Sequence, residues 1–262
     1  MDSRLLPLTG ERAGDLNPGG DLDRHRLQLL RQAEIAERLA ERSVVFLPLG
    51  TLEFHAQHLP IGLDALTAEG ICLRAASARG GLVYPTLYYG TGGGHGTFPW
   101  SIIMPSGSEI GALLAHSLAR LDDQGVELAV MFTGHFAPDQ VAVVEGVAER
   151  WNEAGHRMRA LGLSVNSVAG LPIEPDHAGR FETTLLHALL PGRVARDLIP
   201  EPLPGEIGED PWGPGRYDPA HSLWGVIGPD PRDLDPDEAP TLLDACVRWV
   251  LGRVDGAMAS ES

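Results

Sequence analysis

The sequence predicts an α/β protein of three layers, with helices on both faces of a mostly parallel central sheet. Two observations carry this. Short runs that are apolar throughout, such as Val44 to Leu49 and Leu128 to Phe132, alternate with helical patterns of ten or more residues; a strand that is apolar on both faces is covered on both, as βαβ units arrange it. The chain of 262 residues is 43% apolar, which suffices for one sizeable core.

Residues 1 to 23, rich in Gly, Pro, Asp and Arg, read as an irregular lead-in, and residues 24 to 262 as a single domain. From Arg24 to Arg42 the positions Leu27, Leu29, Leu30, Ile35 and Leu39 recur at roughly helical spacing. A buried strand over 44 to 49 follows, closed by Gly50, then a helix from about Ala65 to Ala78. "LVYPTLYYG" reads as a strand, the Gly-rich 90 to 96 as a loop and "SIIM" as a short strand. The next helix opens with Ser106 and Glu109 at capping-box spacing and ends at Gly125. A strand over 127 to 132 precedes a helix with Pro138 in its first turn and Gly155 at its end. The strand beginning near Met158 is expected to run to about Val168, before a short helix from Arg180. The Pro- and Gly-rich stretch 200 to 235 is expected to be ordered by packing on the rest, and a helix around Leu242 to Val254 closes the chain.

A net charge of −16 disfavours nucleic acid and membrane surfaces as partners, because both attract basic patches. No run of about 18 apolar residues marks a membrane span and the N-terminus lacks a secretory apolar core, so a cytoplasmic location is expected. Cys72 and Cys246, in apolar helical surroundings, read as buried thiols. All twenty basic residues are Arg, which excludes any mechanism that needs a Schiff-base lysine, a Walker lysine or a Ser-Lys dyad.

In sheets of this kind, ligands gather at the carboxyl ends of strands, and three polar clusters lie there. "GTLEFHAQHLPIGLD" follows the strand 44 to 49 and holds Glu53, His55, His58 and Asp64. Glu53 and His55, two apart, point to the same side of extended backbone. Imidazole and carboxylate together suit zinc, manganese or iron, and a carboxylate such as Asp64 can bridge two ions. His135 follows the strand 127 to 132, and Asp176, His177 and Glu182 follow the strand ending near Val168. The bland alternatives are a solvated turn, a loop histidine on a backbone group, and a first-turn helix carboxylate at Glu182.

Taken together, these residues resemble the creatininase family of metal-dependent amidohydrolases. The family's Glu-x-His-x-x-His-Leu-Pro run, with an Asp eleven residues after the Glu, appears as Glu53, His55, His58, Leu59, Pro60 and Asp64. Its Gly-His after a strand is similar to Gly134-His135, and its His-Ala-Gly-x-x-Glu-Thr motif to His177, Ala178, Gly179, Glu182 and Thr183. "GVIGPDPRDLDPDEA" is similar to the family's C-terminal loop and helix start.

The resemblance implies a creatininase-like fold and one or two divalent ions per chain, zinc first, with manganese or iron open because they share these ligands. It implies that Glu53 and His135 hold one ion and His55 the other, with Asp64 between them. His177 would carry a proton to the leaving nitrogen, Glu182 would act as a further ligand or in catalysis, and His58 would support the ligands from behind. His95 and Trp100, in "GTGGGHGTFPW", are candidates to face a small-molecule substrate, the alternative being a Gly-rich turn with Trp100 in the core; Phe136 and Asp176 are also substrate-facing candidates. A homo-oligomer, a hexamer in the family, is implied as well.

Creatinine-hydrolysing members carry a Glu two residues after the Gly-His histidine, where this chain has Ala137. Phe54, Ala56 and Gln57 also depart from the family's Gln, Gly and Pro. The expected reaction is therefore cleavage of a C–N bond other than a peptide bond, in a small cyclic amide, formamide or related compound rather than in creatinine. Two competing readings are a mononuclear iron oxygenase using His55, His135 and Glu53, and an inactive metal-binding relative with a structural role.

Overall fold

In the computed structural model, which describes residues 20–259, the central sheet has four strands: β1 (Val44–Leu49), β2 (Leu82–Val83), β3 (Leu128–Thr133) and β4 (Arg159–Ser164). Their order is β2-β1-β3-β4, and every pairing is parallel. Side chains alternate across the sheet. Val44 and Phe46 of β1 and Leu128, Val130 and Phe132 of β3 pack under α2 (Leu63–Arg79), α5 (Arg180–Leu189) and α6 (Ala239–Ala259). Val45, Leu47 and Leu49, with Ala129 and Met131, face α3 (Ser108–Asp123) and α4 (Pro138–Glu153), and α1 (Gln32–Glu41) packs at that side through Ile35 and Leu39. The continuous apolar runs are thus explained: each strand is sandwiched, and each large side chain so buried contributes about 1.5–3 kcal/mol. Cys72 and Cys246 are free and buried among the first set, and burial pushes both thiols up, Cys246 to about 12.

Where the structure departs from expectation, the cause is local. The helix expected from Arg24 begins as two 3-10 turns, Asp21–His25 and Leu27–Leu29, and becomes α-helical only at Gln32. There the Glu34 carboxylate accepts the Arg31 backbone N–H at 2.7 Å and starts the helix. Of the lead-in, residues 1–19 lie outside the described residues. "LVYPTLYYG" supplies only Leu82–Val83 to the sheet; Tyr84 N–H still reaches the Phe46 carbonyl, but Pro85 has no N–H, and contact with β1 resumes only at Leu87. "SIIM" makes isolated bridges, Ile102 to Leu52 and Met104 to Thr91, rather than a strand. Gly107, not Ser106, is the residue before α3, so Ser106 bonds the Glu109 side chain directly instead of closing a capping box. β4 ends at Ser164 in a 3-10 turn over Val165–Ser167, whereas α6 extends beyond both expected ends.

Candidate metal centre

Two glycines place the centre. Gly50 ends β1 and Gly134 ends β3, and a methyl group added at either would strike the start of α2: at 2.3 Å from Ala65 N for Gly50 and 2.0 Å from Asp64 O for Gly134. Only a missing side chain lets the first turn of α2 settle between the two strand ends, so Asp64 is wedged between the loops that carry Glu53, His55 and His135.

The groups that gather there are buried: Glu53, His55, Asp64, His135, His177 and Glu182 are each no more than 9% exposed. His135 Nδ1 lies 3.1 Å from Glu53 Oε2 and 3.2 Å from Asp64 Oδ2. His55 Nε2 lies 3.1 Å from Asp64 Oδ1 and 3.4 Å from Glu182 Oε2. Asp64 therefore belongs to two groups, Glu53–Asp64–His135 and His55–Asp64–Glu182, in each of which the donor atoms fall within 4.8 Å of one another. Glu53, His55 and His177 form a third such group. The trio His55, His135 and Glu53 that an iron oxygenase site would need does not converge in this way among the described residues.

Burial by itself would lower the pKa of His55, yet the Asp64 and Glu182 carboxylates outweigh it and hold the ring up at about 10. His135 is likewise held well above the usual histidine value, against burial, by Asp64 and Glu53. Glu182 is pushed well up by burial. Buried carboxylates thus draw positive charge onto two imidazoles, which is what an ion would supply. His55 Nε2 and Asp64 Oδ2 are buried with no hydrogen-bond partner, so the donor set fits a divalent metal.

Tautomers follow from the partners, because a carbonyl can only accept. His55 donates its Nδ1–H to the Glu53 carbonyl at 2.9 Å, which turns Nε2 toward Asp64. His177 donates its Nε2–H to the Phe54 carbonyl at 3.0 Å, and its ring lies 4.5 Å from that of His55. Ala56 and Ala178, each directly after one of these histidines, both hold φ +55°, a strained value for alanine that marks the constraint on the two turns.

Other expected site residues take different places. His58 bonds Thr183 Oγ1 at 2.9 Å, holding the motif loop against α5; burial lowers its pKa to about 4. The Asp176 carboxylate accepts the N–H groups of Gly179 and Phe181 at the start of α5, where orphan donors favour an anion, and burial raises its pKa to about 7. Phe136, half-buried, packs against the core under α2, α5 and α6. Trp100 is not in the core, being 77% exposed at φ +60°. His95 sits in a 3-10 turn, Gly94–Thr97, and its side chain lies outside the described residues.

Residues that sequence reasoning missed come from the stretch 200 to 235. Trp224 packs at a 45° tilt on Phe54 with centroids 4.9 Å apart, and Phe98 joins Phe54, Trp224 and Tyr217 in one aromatic cluster. Ile227 pairs with His177 through both backbone bonds, so this strap closes over the histidine. No periodicity announced it; its traces in the sequence are the family-like run that begins at Gly225 and that glycine itself, where φ +80° and the Phe54 ring leave no room for a side chain.

Fold and centre together define an α/β protein with a buried histidine–carboxylate cluster, able to hold a metal, at the carboxyl ends of parallel strands. The chain belongs to the creatininase family: the family's model, creatinine amidohydrolase, matches residues 28–254. It is 24% identical over 233 residues to the creatinine amidohydrolase of Pseudomonas putida, covering 79% of this chain and 86% of that one. It is 28% identical over 166 residues to the mycofactocin precursor peptide peptidase of Mycobacterium ulcerans (strain Agy99), covering 59% of this chain and 62% of that protein. A crystal structure of creatinine amidohydrolase superposes with a TM-score of 0.70 at 24% identity, over 88% of this chain and 96% of that one. Solved creatininases of the same similarity include a Zn-Zn type and a manganese form. Members of the family hydrolyse amide C–N bonds. Among the described residues no helix is long and apolar enough to cross a membrane.

Proposed function

We propose that the chain is an amidohydrolase that uses two divalent ions to cleave a C–N bond of a small amide, a cyclic amide or formamide-type compound rather than creatinine. The observation that carries this is Asp64, shared between two donor groups that each add a histidine and a second carboxylate. Glu53, Asp64 and His135 would hold one ion, and His55, Asp64 and Glu182 the other. Such ions polarise a bound carbonyl and lower the pKa of bound water.

The chain's own residues supply the rest. Glu182, from the His-Ala-Gly-x-x-Glu-Thr motif, is the second carboxylate of the group around His55; its Oε2 is fixed by the Ala178 N–H at 2.6 Å and turned toward His55. His177, pinned through Nε2 to Phe54, presents its other edge for proton transfer to the leaving nitrogen. Phe54, Phe98 and Trp224 exclude water from that side. Ala137 is the reason creatinine is set aside, since creatinine-hydrolysing members carry a Glu there.

Loading the protein with zinc or manganese, measuring metal by plasma mass spectrometry, and assaying formamides for ammonia or amine release and cyclic amides and creatinine for the ring-opened acid tests this. Two ions per chain with turnover of a small amide are expected. One iron per chain with oxygen-dependent turnover would overturn it. A second reading, cleavage of a peptide bond, is favoured by the similarity to the mycobacterial peptidase; release of a fragment from a peptide panel, with no small amide turned over, would establish it.

A further inference from the structure

The Gly-rich loop after residue 90 lies over the centre, and a buried side chain of α4 fastens its neck there. A methyl group placed on Gly93 would sit 3.7 Å from His135 Cε1 and 3.8 Å from Glu53 Oε1, so the main chain at this position forms a wall of the site. The loop leaves and re-enters the fold at one point: Met104 N–H bonds the Gly90 carbonyl at 2.8 Å, and Thr91 Oγ1 donates to the Met104 carbonyl at 3.0 Å. At that neck the Thr91 N–H is taken by Gln140 Oε1 at 3.1 Å.

Gln140 is wholly buried and sits in the first turn of α4, the helix that opens three residues after His135. A glutamine there can reach back to the residue preceding the helix and cap it. Instead Gln140 spends its oxygen on the loop and leaves its Nε2 buried without a partner. An unmatched buried amide is costly, so its retention needs a return elsewhere. The return visible here is mechanical: the segment that carries His135 and the loop that walls it are tied into one unit.

We propose that Gln140 is a positioning residue that sets the Gly-rich loop over the metal centre and thereby controls access to it. This rests on the amidohydrolase reading for its consequence in turnover, but its first readouts do not. In zinc-loaded Gln140→Met, which keeps the volume and loses the acceptor, amide hydrogen exchange over 91–97 and zinc capture by a chromophoric chelator should both quicken about 10-fold, with zinc content and the melting temperature within a few degrees of the parent. Gln140→Glu retains an acceptor for the Thr91 N–H and should restore slow exchange and slow zinc release.

Unchanged loop exchange and zinc release in Gln140→Met would overturn the proposal. So would an equal fall in melting temperature in both variants, which would make Gln140 a core residue only. On whichever amide the parent turns over, Gln140→Met should raise KM more than it lowers kcat. If the parent turns over no amide while exchange and zinc release follow the pattern above, the proposed function fails and the positioning role stands.

Discussion

Asp64 is the residue on which both donor groups depend, and its two oxygens lie 3.1 and 3.2 Å from different histidines. In Asp64→Asn one oxygen becomes an amide that cannot ligate in its place. Metal content should fall from two ions to one or none, and affinity by more than about 100-fold, as read by mass spectrometry after dialysis. His58 gives a pH signature. Its folded pKa, about 4, lies below the ordinary 6.5, so the fold favours the neutral ring. That preference stabilises the protein fully above pH 6.5 and is lost as pH falls toward 4, by at most about 3 kcal/mol. Urea unfolding of the parent and of His58→Gln, compared between pH 7 and 4, should show the parent losing that much more stability; parallel curves would refute the assignment.

At the scale of elements, the seating of α2 between β1 and β3 decides whether a centre exists. Gly134→Ala puts a methyl group where Asp64 O stands 2.0 Å away, so the strand end and the helix must part. A loss of about 1–3 kcal/mol in urea unfolding, with weakened metal binding, is expected. Gly252, exposed on α6 with nothing near its missing side chain, is the control: Gly252→Ala should add about 0.5–1 kcal/mol and leave metal binding unchanged. The ligand motifs at these strand ends were legible in the sequence because apolar runs closed by glycine mark strand ends, and histidines and carboxylates follow them. The role of Asp176 was not, because a carboxylate at a helix start and one facing a substrate look alike until the backbone N–H groups of α5 are seen to converge on it.

For the whole molecule, ions bound at buried carboxylates are part of the folded state's stability. A binder at 100 times its dissociation constant adds about 2.7 kcal/mol, so stripping with a chelator should lower the melting temperature by several degrees. Zinc or manganese added back should restore it, and an unchanged melting curve would show the centre to be empty of consequence for folding.

The sequence by itself determined the layered α/β class, the order of its principal strands and helices, and the membership of Glu53, His55, Asp64, His135, His177 and Glu182 in one site. Period, punctuation and spacing are local properties that a chain carries with it. Only the tertiary structure decided which atoms of Asp64 meet which histidine, that Trp224 packs on Phe54 and Ile227 pairs with His177, and that the Asp176 carboxylate takes the N–H groups at the start of α5. Each of these depends on which atoms meet across the gaps between elements, and a side chain's role there is set by its nearest partner, not by its neighbours in sequence.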